Sequence, residues 1–186
     1  RETRANLDFV AEPLNEFLKM AELPDAVAHI TGWHCLAEEI ISEGRQCTVE
    51  GYVLDGDVRI YGIVDSKRQG AKGSSFSRYE YPSQLPEHVC DRMLQDSRRL
   101  LQQVGYDNAP FNIEFFYNEA DESLYLLEVN TRCSKSHSPL FKMVDGASNL
   151  QAMVDVGLGR RPDFPPEGGK YAYASKVMLR EDRDEQ

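Results

Sequence analysis

The sequence is poor in several things, and each shortage excludes a class of function. It has four cysteines and one tryptophan in 186 residues. Cys35, Cys47, Cys90 and Cys133 include no Cys-x-x-Cys pair, and no histidine stands at a zinc-like interval from any of them. They read as reduced thiols, small packing residues of a cytoplasmic protein. No apolar run approaches the length of a membrane span, and no secretory signal is visible. Positive charge is short too: 21 basic residues face 31 acidic ones, for a formal charge of −10. That balance argues against a general nucleic-acid or anionic-membrane surface. It does not argue against a nucleotide, which needs only a few cations placed locally. Internal repeats and low-complexity tracts are absent.

What is present suits one folded domain. The chain is 41% hydrophobic and 28% charged, and it is long enough for a proper core. Leu14, Phe17, Leu18 and Ala21 have helical spacing over residues 12–22, with Pro13 near the start. Residues 46–54 read as a strand, Asp55-Gly56-Asp57 as a hairpin turn, and Val58 to Val64 as the return strand. On that return strand Val58, Ile60, Gly62 and Val64 alternate with Arg59, Tyr61 and Ile63. Residues 66–84 are polar and read as a loop. A helix follows from Pro86 to Val104, closed by Gly105. Phe111 to Tyr117 and Leu124 to Val129 form a second hairpin around an acidic tip. Residues 131–138 form a polar loop, 148–157 a helix, 159–169 a Gly/Pro-rich loop and 171–179 a last strand. Two antiparallel hairpins with helices between them indicate an α+β domain with a mainly antiparallel sheet, not a doubly wound parallel one.

The second hairpin holds the chemistry. A loop over 119–123 sets Glu114 opposite Glu128, and alternation puts Asn112, Glu114, Glu128 and Asn130 on one face. Opposed carboxylates repel, and burial makes this worse unless a cation lies between them. Two carboxylates and an amide oxygen form an oxygen-only set that favours magnesium. Phe116 and Leu126 are expected to share that face, so the sheet reads as covered on both sides. Arg132 follows two residues after Asn130, a cation suited to phosphate.

Glu128-Val129-Asn130-Thr131-Arg132, preceded by Phe111-Asn112-Ile113-Glu114-Phe115, resembles the signature of the ATP-grasp ligases. The resemblance covers residues 34–165 and implies the C-terminal subdomain of that fold. It implies magnesium, or manganese in its place, on Glu114, Glu128 and Asn130, with Arg132 steadying the transferred phosphoryl group. Residues 36–41, followed by Gly44 and by Thr48-Val49-Glu50-Gly51, resemble the hinge that holds adenine. The resemblance thus assigns the nucleotide to Glu38, Glu39, Ile40 and Ile41. Gln46 stands where the family often has a ribose-binding glutamate. Lys67, within Asp65-Ser66-Lys67-Arg68, falls where several members supply a basic group to the phosphates. In Ser134-Lys135-Ser136-His137-Ser138, Lys135 is the candidate for the acceptor substrate, and His137 reads as structural or solvated.

The implied reaction uses ATP to activate a carboxylate as an acyl-phosphate, which an amine then displaces. Bicarbonate as the carboxylate, in the manner of biotin carboxylase or carbamoyl-phosphate synthase, is the nearer rival. A non-catalytic interaction domain is the rival of another class, and a homodimer is compatible with any of these. Residues 1–33 read as the remnant of a preceding subdomain, 34–165 as the nucleotide and metal core, and 166–186 as a final strand and acidic tail. The phosphate-binding lysines and glycine-rich flap of the first subdomain have no match before residue 34. The chain is therefore expected to carry part of a complete site.

Overall fold

A computed structural model describes residues 7–21, 23–35, 37, 41, 44–69, 75–166 and 168–179. The chain divides into two compact units, Arg1–Ile40 and Ile41–Gln186. The first contains α1 (Leu7–Met20) and a 3-10 turn at Asp25–Val27. This helix starts earlier than the spacing of its apolar residues predicts, so Pro13 lies inside it and removes one backbone donor.

The second unit is built on a six-stranded, fully antiparallel sheet in the order β5-β4-β1-β2-β3-β6. Its strands are β1 (Arg45–Leu54), β2 (Asp57–Gln69), β3 (Ser75–Tyr81), β4 (Ala109–Asn118), β5 (Ser123–Asn130) and β6 (Ala174–Val177). The β1–β2 turn places Asp55 and Gly56 at φ 53° and 74°, the two left-handed residues of a type I′ hairpin. Among the described residues three helices accompany the sheet: α2 (Glu87–Gln103), α3 (Ser138–Val144) and α4 (Asn149–Gly157).

The two faces of the sheet differ. On one, Cys47, Val49, Val53, Val58, Ile63, Phe111, Ile113, Phe115 and Tyr117 pack against α2. That helix turns Val89, Met93 and Leu101 inward at four-residue intervals or multiples of them. On the other face Val64 and Tyr81 meet Leu140, Phe141 and Val144 of α3. This second cluster is smaller, and beside it the face becomes polar.

Several expectations change. Residues 66–69 continue β2 and 75–81 form β3, so much of the predicted loop is strand. Simple alternation on the return strand fails, because Ile63 enters the α2-facing core while Val64 joins the opposite cluster. The cause is a bulge: pairing steps from Gly51↔Ile60 to Glu50↔Gly62, which leaves Tyr61 as the extra residue. A Cβ at Gly51 would lie 2.1 Å from the Arg59 carbonyl oxygen, so the bulge requires glycine there. Helix α3 follows directly after the predicted polar loop, in a segment for which no element was expected. Among the described residues no helix is long and apolar enough to cross a membrane.

Candidate metal and phosphate site

Strands β4 and β1 pair Asn112 with Glu50, Glu114 with Thr48 and Phe116 with Gln46. On the far side β4 meets β5, with Asn112 opposite Asn130 and Glu114 opposite Glu128. The predicted carboxylate pair thus forms, but by a different route. Asn118 already pairs with Ser123, so the loop is one residue shorter than expected, and a bulge between the Glu114↔Glu128 and Phe115↔Leu126 pairs, with Leu127 of β5 as the extra residue, restores the register. Tyr125, not Leu126, therefore faces Phe116. The expectation that both faces are covered fails at β5, the sheet edge, where Tyr125, Leu126, Leu127 and Val129 are each about two-fifths exposed.

The polar face opens into a cleft of about 410 Å³. It is lined by Glu114, Glu128 and Asn112, by Arg132 and Lys135, by the hydroxyls of Thr48, Ser66, Ser134 and Ser136, and by Phe76, Tyr79 and His137. Asn130 donates from Nδ2 to Glu128 Oε1 at 2.8 Å and accepts at Oδ1 from Arg132 Nη2 at 3.3 Å. Metal candidates Glu114, Glu128 and Asn130 and the cation Arg132 therefore meet at one edge, with Lys135 on the same cleft. Among the described residues no cluster of three or more His, Cys, Asp or Glu side chains forms. Magnesium does not need one: a pair of carboxylates, an amide oxygen and water or phosphate oxygens suffice. The donor set fits that ion, and two touching carboxylates supply a charge conflict that a divalent cation would relieve.

Glu114 reports that conflict. Its carboxyl is held above the ordinary value of 4.5, first by burial and then by the charge of Glu128, which lies within hydrogen-bonding reach. Donation from Gln46 and the proximity of His137 pull the other way. A carboxyl raised in the folded state binds its proton more tightly there than in the unfolded chain. Its contribution is fully present below the unfolded value and is lost as pH rises through the raised folded one. Without divalent cations, thermal stability should therefore fall as pH rises above the ordinary carboxylate value, and Glu114→Gln should remove that part of the fall. An unchanged pH profile in the variant would count against the conflict.

One predicted nucleotide residue is placed differently from expectation. Lys67 projects to the α2-facing side of the sheet, with Nζ 3.8 Å from Glu80 Oε2, because side chains alternate and Ser66 takes the cleft side. The neighbouring Arg68 is the cation on the cleft-facing side. It follows a bulge between Lys67 and Arg68, lies 4.3 Å over the Phe76 ring, and donates through Nε to Gln46 Oε1. Gln46, only 2% exposed, donates in turn to Glu114 Oε2. Its amide spans the gap between Arg68 and the carboxylate pair, so its present contacts are with these groups. Glu38, Glu39 and Ile40 lie outside the described residues, and Ile41 is the half-buried first residue of the second unit.

Glu50 is not among the residues expected at the site, and His137, expected to be structural or solvated, is buried and structural. Glu50 is fully buried, and His137 is 3% exposed with Nδ1 against Glu50 Oε1. The available signal was the alternation Gln46, Thr48, Glu50 against Cys47, Val49 and Gly51. It becomes informative only once β1 is known to lie beside β4.

The family model described as "Carbamoyl-phosphate synthase L chain, ATP binding domain" matches residues 68–163, just over half of the chain. The chain belongs to this ATP-binding family and, with it, to the ATP-grasp superfamily. It is 30% identical over 149 residues to the carbamoyl phosphate synthase large chain of Thermoanaerobacter sp. (strain X514), covering 76% of this chain and 13% of that one. Its fold is similar to biotin carboxylase from Campylobacter jejuni, with a TM-score of 0.58 and 23% identity over 68% of this chain and 28% of that one. The biotin carboxylase domain of Hydrogenobacter thermophilus 2-oxoglutarate carboxylase, solved with MgADP, ADP and bicarbonate, also has a TM-score of 0.58. There the identity is 20%, over 72% of this chain and 29% of that one. The chain spans between 4% and 28% of the length of the curated relatives it matches.

Proposed function

We propose that the chain supplies the metal- and phosphate-binding edge of an ATP- and magnesium-dependent ligase that acts in the cytoplasm. The ligase activates a carboxylate as an acyl-phosphate and passes the acyl group to an amine. One observation carries this reading: the touching Glu114–Glu128 pair, with Asn130 beside it, sits at the mouth of a cleft whose cations are Arg132 and Lys135. In the first step an oxygen of the carboxylate attacks the γ-phosphorus, the bond to ADP breaks, and ADP leaves. In the second the amine nitrogen attacks the acyl carbon, the carbon–oxygen bond to phosphate breaks, and the nitrogen loses a proton. Positioning and charge neutralisation are the protein's contribution to such transfers. Arg132 would hold the transferring phosphoryl group, and Lys135 the acceptor carboxylate. Arg68 adds a third cation on the same face, in the role first expected of Lys67. Magnesium held by Glu114, Glu128 and Asn130 would offset the charge of the phosphate oxygens.

A second reading replaces the organic carboxylate with bicarbonate. It is favoured by the family model, which is that of a carbamoyl-phosphate synthase chain, and by the bicarbonate in the similar biotin carboxylase domain. The two readings separate in a screen of ADP release by the full-length protein that carries this chain. ADP release dependent on an organic carboxylate and an amine is expected. Release with bicarbonate alone would select the second reading, and no ADP release with any acceptor would remove both.

A further inference from the structure

We propose that Glu50 is a positioning residue: from beneath the cleft it fixes the orientation of Asn112, Asn130 and the Ser134–His137 loop. It thereby turns the Asn130 carbonyl oxygen toward the ligand edge. The proposal rests on the metal–phosphate reading of the cleft.

A carboxylate with no exposure is costly unless its lone pairs are filled. Glu50 is filled by four donors from separate parts of the fold. Oε1 accepts from Asn112 Nδ2 at 3.1 Å and lies against His137 Nδ1. Oε2 accepts from the Ser134 backbone N–H at 3.3 Å and from Asn149 Nδ2 at 3.0 Å. Asn149 Nδ2 also donates to the Ser134 carbonyl at 2.8 Å, so both backbone groups of Ser134 are held. Ser134 precedes Lys135, and His137 closes the loop edge-on to Tyr79, with ring centroids 4.6 Å apart.

The polarity of these bonds is transmitted outward. A carboxylate only accepts, so each asparagine that touches it must turn its NH₂ inward. Asn112, turned this way, presents Oδ1 on its other side, where it accepts from Asn130 Nδ2 at 3.3 Å. The same NH₂ of Asn130 donates to Glu128. Asn130 therefore has only one orientation that satisfies both neighbours, and it leaves Oδ1 facing Arg132. That amide oxygen is the hard donor a magnesium ion takes. One buried charge thus sets two amides in series and anchors the loop that bears Lys135. A hydrophobic residue at position 50 would fill the space but leave both amides free to turn.

Nitrogen-edited NMR of the ligand-free chain tests this without nucleotide. In the wild type the side-chain NH₂ protons of Asn112 and Asn130 should exchange more slowly than those of the exposed Asn108. Equal exchange would overturn the proposal even if every variant failed to fold. In Glu50→Gln the amide nitrogen confronts donors, so the Asn130 NH₂ and Ser134 N–H signals should lose their hydrogen-bonded character. Those of α2 should stay in place. MgADP affinity should fall about 10- to 100-fold, the usual cost of losing a group that orients a ligand. Adding Asn112→Asp returns a carboxylate that accepts from both neighbours, and should restore the Asn130 signals and much of the affinity. Unchanged Asn130 and Ser134 signals in Glu50→Gln, or no recovery in the double variant, would overturn the positioning role. Failure of the wild type to bind MgADP would instead sink the metal–phosphate reading, with the NMR signals still deciding the role of Glu50.

Discussion

Glu128→Gln is expected to abolish magnesium-dependent nucleotide binding while leaving the fold intact. Glu128 lies on the edge strand β5, exposed, and contributes nothing to either hydrophobic cluster. Its loss should cost little stability, and it relieves the repulsion that, after burial, raises the Glu114 carboxyl. Binding is another matter. The substitution halves the anionic charge of the pair and leaves one carboxylate and one amide oxygen of the proposed donor set. The loss of MgATP affinity should reach at least about 100-fold, the upper end of what is seen for residues that merely orient a ligand. Circular dichroism and thermal unfolding beside a binding isotherm would show the two effects apart. A parallel fall in stability and affinity would mean that the pair serves the fold.

Phe111→Ala should have the converse profile. Phe111 is fully buried in the α2-facing core, among the largest side chains so enclosed, and its ring lies where a Cβ at Gly51 would approach it. Truncation removes a large apolar surface and leaves a cavity between β1 and β4, at a cost of about 3–5 kcal/mol. Those two strands carry Glu50, Thr48 and Glu114 on their other face. Urea unfolding should show the full loss, while a ligand that binds the folded chain should recover part of it, with the logarithm of its concentration once it exceeds the dissociation constant. A loss below about 1 kcal/mol would mean that the sheet packs less tightly on α2 than its burial indicates.

The uneven legibility of the sequence has physical causes. Helix α2 was readable because its buried residues recur at helical intervals between Pro86 and Gly105, signals that are local in the chain. The β1–β2 turn was readable for the same reason, since Asp-Gly is what a type I′ turn requires. The Glu114–Glu128 pairing was reached with a loop one residue too long, and an unforeseen bulge in the β4–β5 pairing compensated for it. Alternation on β2 misled because Tyr61 is an extra residue, and a bulge reverses the inward face of everything after it. The placement of Lys67 went wrong for a related reason: a one-residue difference exchanges the faces of a strand, and Arg68 holds the cleft side. Glu50 was beyond reach because its partners come from β4, the Ser134–His137 loop and α4, brought together only by the order of strands in the sheet. Resemblance pointed to Glu114, Glu128, Asn130 and Arg132 at the edge of the cleft, whereas the support beneath them had to be read from the fold.

Calorimetric titration of ATP into the wild-type chain and Glu128→Gln, each with magnesium and with a chelator, tests the central claim most directly. The account predicts binding to the wild type only when magnesium is present, and none to the variant over the same concentrations. Equal ATP binding by the two proteins, or binding by the wild type that is indifferent to the chelator, would contradict the assignment of the Glu114–Glu128 pair as the metal edge.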